Sequence, residues 1–187
     1  MGKALIFSAP SGSGKTTIVK HLLTKFPKLC FSISATTRKP RENEIDGLHY
    51  NFLTLSDFQE EIARDGFVEF EEVYRGTYYG TLKSQVQKLW QEGRVIVFDV
   101  DVAGGVNIKK QLGDDALAIF VRVPNEEVLL QRLKDRNTET EESLKTRKDK
   151  FKEEMTFESK FDRVLVNDDL TTTLTEAEQM VSDFISN

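Results

Sequence analysis

The plainest chemistry in the chain lies near its start, in the run Ala9-Pro10-Ser11-Gly12-Ser13-Gly14-Lys15-Thr16-Thr17. Closely spaced glycines let backbone N–H groups turn inward on an anion, and a helix beginning behind them adds the positive end of its dipole. Lys15 is then placed to reach the outer phosphates of a triphosphate, and the Thr16 hydroxyl to ligate Mg2+. Ala9 stands where such loops usually begin with glycine. Alanine serves there provided its φ stays negative.

Two further clusters could complete a site. Asp99 ends the run Val95-Ile-Val-Phe-Asp99, and Asp101 follows on the turn. A carboxylate at the C-terminal end of a parallel strand suits Mg2+ or a Mg-bound water, although an aspartate after a strand is often only a helix cap. The segment Thr36-Thr-Arg38-Lys-Pro-Arg41 gathers Arg38, Lys39 and Arg41 within four residues of an acidic chain. Arginine forks match phosphate oxygens bidentately. Tyr50 and Tyr79 add phenolic donors suited to the same anion.

These residues need elements to hold them. Apolar runs predict strands at Lys3–Ser8, Phe67–Tyr74, Val95–Val100, Ala116–Val123 and Arg163–Val166. VIVFDV and ALAIFVRV are nearly continuous, as in parallel strands covered on both faces. Phe67–Tyr74 is broken by Glu69, Glu71 and Glu72, so one side of it faces water or a ligand. Lys15–Phe26 and Leu82–Glu92 carry apolar residues at helical spacing. Ser56-Asp-Phe-Gln59 and Thr173-Leu-Thr-Glu176 have capping-box form; the first opens a helix through Arg64. Leu174, Ala177, Val181 and Phe184 make the buried stripe of the second. The alternation favours α/β architecture. Residues 33–82 interrupt the rhythm as an inserted lobe. Residues 125–160 are mostly charged, with Thr138-Glu-Thr-Glu141 capping a helix whose stripe (Leu144, Phe151, Met155) is thin. They read as a solvated helical pair, or as a mobile cover over a site.

Composition sets the bounds. The 187 residues suit one domain, and 26 Lys and Arg against 31 Asp and Glu argue against nucleic acid as a partner. A single cysteine, Cys30, and two histidines exclude a disulfide framework and make a multi-histidine metal cluster improbable. No run approaches the roughly 20 apolar residues of a membrane helix. A cytoplasmic protein with no membrane contact, monomeric or homodimeric, is expected.

Taken together, the motifs resemble the guanylate kinase family. The likeness is carried by the phosphate loop, Ser34-Ala-Thr-Thr-Arg38-Lys-Pro-Arg41, Gly47-Leu-His-Tyr50-Asn-Phe52 and Phe67-Val-Glu69-Phe. It continues through Tyr78-Tyr-Gly-Thr81, Asp99-Val-Asp101, Arg132-Leu-Lys-Asp-Arg136, Thr138-Glu-Thr-Glu-Glu142 and Val166-Asn-Asp168. The resemblance implies an α/β fold like that of P-loop nucleoside monophosphate kinases, forming a single domain over 1–187. Its parts would be a parallel-sheet core (1–32, 83–124 and 148–187), a GMP-binding lobe (33–82) and a helical lid (125–147). It implies transfer of phosphate from ATP to GMP, and also to dGMP, with Mg2+ held by Thr16 and Asp99, in guanine nucleotide synthesis and recycling.

The residue roles follow from the same likeness. ATP would be bound by residues 9–17 and by Asn167, the latter at the position that contacts adenine. Glu69 would read guanine, with Ser34, Thr81 and Asp101 as partners. Arg38, Arg41, Tyr50 and Tyr79 would clamp the GMP phosphate. Lys15, Arg38, Arg132, Arg136 and Arg147 would neutralise charge during transfer. Domains of this kind in membrane-associated scaffolds instead bind phosphorylated peptides and typically lack a working phosphate loop, which this chain retains.

Overall fold

The computed structural model describes residues 2–10, 12–134 and 141–186. Ser11 and Arg136, both named above, lie outside them, as do residues 138–140 of the expected cap. The core is a five-stranded, all-parallel sheet built from β1 (Ala4–Ser8), β2 (Leu29–Phe31), β7 (Val95–Asp99), β8 (Ala116–Arg122) and β9 (Arg163–Val166), in the order β2-β7-β1-β8-β9. All five residues of β1 are buried, and Ile119, Phe120 and Val121 of β8 are wholly so, because helices cover both faces. On one face α1 (Lys15–Lys25) and α7 (Leu170–Ser186) bring Ile18, Val19, Leu22, Ala177 and Val181 against Leu5, Phe7 and Val97. On the other, α3 (Lys83–Gln91) and α4 (Val102–Leu112) bring Val86 and Ile108 against Ala4, Ile6 and Phe98.

The second sheet has four strands, β3 (Ala35–Thr36), β4 (Asn51–Phe52), β5 (Phe67–Tyr74) and β6 (Thr77–Leu82), in the order β4-β3-β6-β5. Its own core is aromatic: Phe58 of α2 (Leu55–Ala63) stacks on Phe67 with centroids 4.3 Å apart. Along β5, Glu69 and Glu71 fall on one face, and across the ladder they meet Thr81 and Tyr79. That face is the one expected to meet water or a ligand, and both glutamates line a cavity.

Several boundaries differ from expectation for identifiable reasons. α2 begins before Ser56, because Thr54 is its cap: its Oγ1 accepts from Asp57 N at 3.1 Å and donates to Asp57 Oδ2 at 2.7 Å. Likewise α7 starts ahead of Thr173. Asp169 Oδ1 accepts from Thr172 N at 2.8 Å, leaving Thr173 inside the helix with its hydroxyl bonded back to Asp169 O at 2.7 Å. α4 was not anticipated, since Gly104 and Gly105 depress its helix propensity. The described parts of 125–160 share a small core. α5 (Glu126–Lys134) buries Leu129 and Leu133 completely, and they join Val123 and Phe151 of α6 (Glu141–Met155) in a small core.

Candidate active site

The phosphate loop leaves the central strand β1 and enters α1 at Lys15, at the carboxyl edge of the sheet where α/β folds place their ligands. Gly12 and Gly14 have φ of 94° and 87°, a region that L-residues avoid. Ala9 is buried and has no positive φ, so the alanine at the loop's start is accommodated. Residues 9, 10 and 12–17 line a cavity of about 440 Å3 with Asp99, Val100, Asp101 and Glu154. Register sets Asp99 beside Phe7 of β1, at the mouth of the loop. There Lys15 Nζ pairs with Asp99 Oδ1 at 2.7 Å and donates to Val100 O at 2.8 Å.

The cap reading of Asp101 is observed. It caps α4, its Oδ1 accepting from Gly104 N at 2.7 Å, and it also lines a second cavity of about 240 Å3. Ser34, Tyr50, Glu69, Glu71, Tyr79, Asp99 and Val100 line that cavity too. Residues 99–101 are thus a wall common to both cavities. Thr81 Oγ1 donates to Glu69 Oε1 at 2.9 Å, which turns the carboxylate along the wall. Burial pushes the Glu69 carboxyl above its ordinary range, the Thr81 hydroxyl pulls it back, and the charges of Asp101 and Glu71 raise it further. Hydrogen-bond donors from a ligand would relieve that crowding of carboxylates.

The cationic cluster is assembled around Arg38. Its guanidinium forms a fork with Glu44, with 2.8 Å from Nη1 to Oε2 and from Nη2 to Oε1, while Nε donates to Tyr79 Oη at 3.2 Å. It lies 5.2 Å from the Tyr50 ring centre, and Tyr50 meets Tyr79 edge-on at 5.9 Å. Glu44 also accepts from the Arg41 backbone N–H at 2.7 Å; Arg41 itself is exposed. The Arg38 fork, with help from that N–H, holds the Glu44 carboxyl down at about 2 against an ordinary 4.5. A depressed carboxylate contributes its pairing fully above its ordinary value and loses it as pH falls through the depressed one. The Arg38–Glu44 fork should therefore persist to about pH 2. Carbon-13 NMR should find the Glu44 midpoint near 2, moving most of the way back toward 4.5 in Arg38→Ala. A wild-type midpoint at the ordinary value would show that the fork does not form.

The described arginines of the charged segment lie on α5 and α6. Arg132 Nη2 donates to Asp168 O at 3.1 Å, beside the β9–α7 turn, and Arg147 is half-buried on α6. Neither lines the phosphate cavity, so contact with a polyphosphate there would require Arg132 to leave Asp168. Asn167 is 4% exposed, and its Nδ2 donates to Ser13 O at 2.7 Å.

Two carboxylates of this region, Glu44 and Glu154, escaped the sequence reading, and a third, Glu71, was read only as one of the residues that break the apolar run of its strand. Each had a signal. Glu71 is two residues from Glu69 on the same strand face, and Glu154 is three from Phe151 on the inward side of α6. Glu44 follows Arg41 by three in a tight turn. Among the described residues no group of three or more His, Cys, Asp or Glu side chains could hold a metal by itself.

A parallel sheet with a glycine-bearing phosphate loop at its carboxyl edge, a lysine–aspartate pair behind it and a second anion cluster beyond a shared wall is the design of a P-loop nucleoside monophosphate kinase fold. The family model described as guanylate kinase matches residues 1–184. A guanylate kinase of Bacteroides thetaiotaomicron is 50% identical over 185 residues, 99% of this chain and 91% of the relative. One of Porphyromonas gingivalis is 46% identical over 187 residues, covering all of both chains. The crystal structure of guanylate kinase from Anaplasma phagocytophilum superposes with a TM-score of 0.70 at 22% identity, over 97% of this chain and 85% of that one, a likeness of fold. The chain belongs to the guanylate kinase family.

Proposed function

We propose that this protein transfers the γ-phosphoryl group of ATP to GMP, and to dGMP, producing ADP and GDP. The observation that carries this reading is the shared wall at 99–101, with the glycine-bearing loop and Lys15 on one side and, on the other, a cavity of carboxylates and tyrosines whose Tyr79 is held by Arg38. Two anionic substrates docked there would meet end to end. The acceptor is a phosphate monoester with a second pKa of about 6, so it is mostly dianionic at neutral pH and needs no general base. The chain's work is to align two anions and cancel their repulsion. Lys15 does this on the donor side, and Arg38 with Arg41, Tyr50 and Tyr79 does it on the acceptor side. Arg132, Arg136 and Arg147 are proposed to add charge to the donor when the lid 125–147 closes over the core. Closure would also exclude the water that competes for the phosphoryl group.

Mg2+ fits the donor cavity, since the Thr16 hydroxyl and the Asp99 carboxylate both line it and oxygen ligands suit a hard cation. When bound, it would neutralise phosphate charge, with the nucleotide and water completing its shell. Guanine selection is proposed for Glu69 with Ser34, Thr81 and Asp101, whose acceptors and hydroxyls match N1–H, the 2-amino group and O6. Adenine presents the opposite pattern at that edge. Among the described residues no helix is long and apolar enough to cross a membrane. A cytoplasmic role in guanine nucleotide synthesis and recycling agrees with these substrates.

The test is a coupled assay with ATP as donor and GMP, dGMP, AMP and UMP as acceptors. GDP and dGDP should form at rates at least about 10³-fold above those for the other two products. Equal use of AMP, or no ATP consumption with GMP, would overturn the assignment.

A further inference from the structure

We propose that Asn167 is a positioning residue of the phosphate loop, acting through the Ser13 carbonyl. This inference rests on reading that loop as the polyphosphate cradle, and it adds a second role to the adenine contact implied by the family resemblance, since a carboxamide that donates through Nδ2 keeps Oδ1 as an acceptor.

Geometry carries it. Asn167 directly follows β9, and its backbone N–H continues the ladder to Arg122 O at 2.7 Å. Its side chain turns inward, 4% exposed, and donates Nδ2 to Ser13 O at 2.7 Å. The loop departs from β1 and is thereby tied to β9, two strands away in the sheet. A loop that binds polyphosphate must turn its N–H groups toward the ligand and its carbonyls away, because an inward carbonyl repels an anion. Holding the Ser13 carbonyl outward requires a buried, neutral donor. A carboxamide meets that need. A carboxylate of equal size would set oxygen against oxygen, and an ammonium would bring a second charge under Lys15.

Gly14 supports the same conclusion independently. A Cβ built there would lie 2.3 Å from Asn167 Nδ2, so the amide occupies the space that any side chain at 14 would need. Gly14 and Asn167 therefore fit as a pair: the left-handed turn at 14, with φ of 87°, is roofed by the group that pins the carbonyl before it. The same β9–α7 turn offers Asp168 O to Arg132. The loop and the start of the charged segment thus share one anchor.

A residue that reads the base and one that shapes the loop predict different outcomes with a ligand that has no base. Inorganic tripolyphosphate is such a probe. Its dissociation constant, that of ATP, and the KM for GMP would be measured on the full-length wild type, Asn167→Ser and Asn167→Asp. Circular dichroism would establish that each variant is folded. Loss of a buried donor opposite a carbonyl should weaken tripolyphosphate by about 10- to 100-fold in Asn167→Ser, ATP by at least as much, and both by more in Asn167→Asp. The KM for GMP should stay within about twofold, a split that general destabilisation would not produce. Weakened ATP binding with tripolyphosphate unaffected would assign Asn167 to the base and overturn the proposal, as would unchanged binding of both in Asn167→Ser. If the wild type holds ATP but not tripolyphosphate, the inference falls while the kinase reading stands. If it holds neither, the cradle reading itself fails.

Discussion

Replacing Lys15 by alanine is expected to lower the turnover of ATP with GMP by about 10³-fold while leaving the protein folded. Lys15 Nζ lies in the phosphate cavity against Asp99 and Val100 O, at 2.7 and 2.8 Å. Charge moving onto the bridging oxygen during transfer would be met there by a fixed cation, and an ordered water in its place supplies only a weaker dipole. The structural cost is small because both partners reach solvent, with side-chain exposures of 19% for Lys15 and 26% for Asp99. Asp99 rehydrates when the ammonium is removed, so the loss should be no more than about 1 kcal/mol. For a domain of this size that moves Tm by roughly 2–4 °C. A coupled assay and calorimetry separate the two effects. The KM for GMP should hardly change, since Arg38 and Glu69 stand across the wall at 99–101. Undiminished turnover in a folded variant would remove the loop from the chemistry.

The contrast between Lys15 and Arg38 shows what sequence could reveal of this site. Lys15 was legible because its neighbours constrain it: a buried strand before, glycines beside and a helix behind leave few other conformations. The strands at Phe67–Tyr74 and Arg163–Val166 were legible for a similar reason, since alternation or continuity of apolar side chains is set by which faces the sheet buries. Arg38 was legible as a cation but not in its environment. Its fork with Glu44 and its contacts with Tyr50 and Tyr79 join separate elements of the lobe, and periodicity carries no information about such pairs. The short strands β2, β3 and β4 span two or three residues each, too few for any pattern to emerge. Asn167 illustrates the remaining limit. Asn-Asp-Asp reads equally as turn chemistry or as a base contact, and only the fold brings its amide under the Ser13 carbonyl.

The second large effect is expected at Glu69→Gln, where kcat/KM for GMP should fall by roughly 10²- to 10⁴-fold with the KM for ATP unchanged. A carboxylate accepting from N1–H and the 2-amino group makes two charge-assisted bonds, each worth about 1.5–3 kcal/mol, and every 1.4 kcal/mol is tenfold. Glutamine keeps the volume and the Thr81 partner but turns an NH2 toward one of guanine's own donors, so one bond becomes a clash of like groups. The pH dependence offers an internal check. Burial, with the charges of Asp101 and Glu71 beyond it, raises the Glu69 carboxyl. Its neutral form, which has lost an acceptor, therefore persists to a higher pH than for an ordinary glutamate. Guanine capture requires the ionised form, so GMP affinity should be full above the raised pKa and decline as pH falls through it. In Glu69→Gln that component of the decline should vanish, leaving only what Glu71 and the GMP phosphate contribute. Equal losses for GMP and ATP would show that Glu69 supports the fold rather than the base. An unchanged pH profile would show that a different carboxylate, Asp101 or Glu71 across the same cavity, accepts guanine's protons.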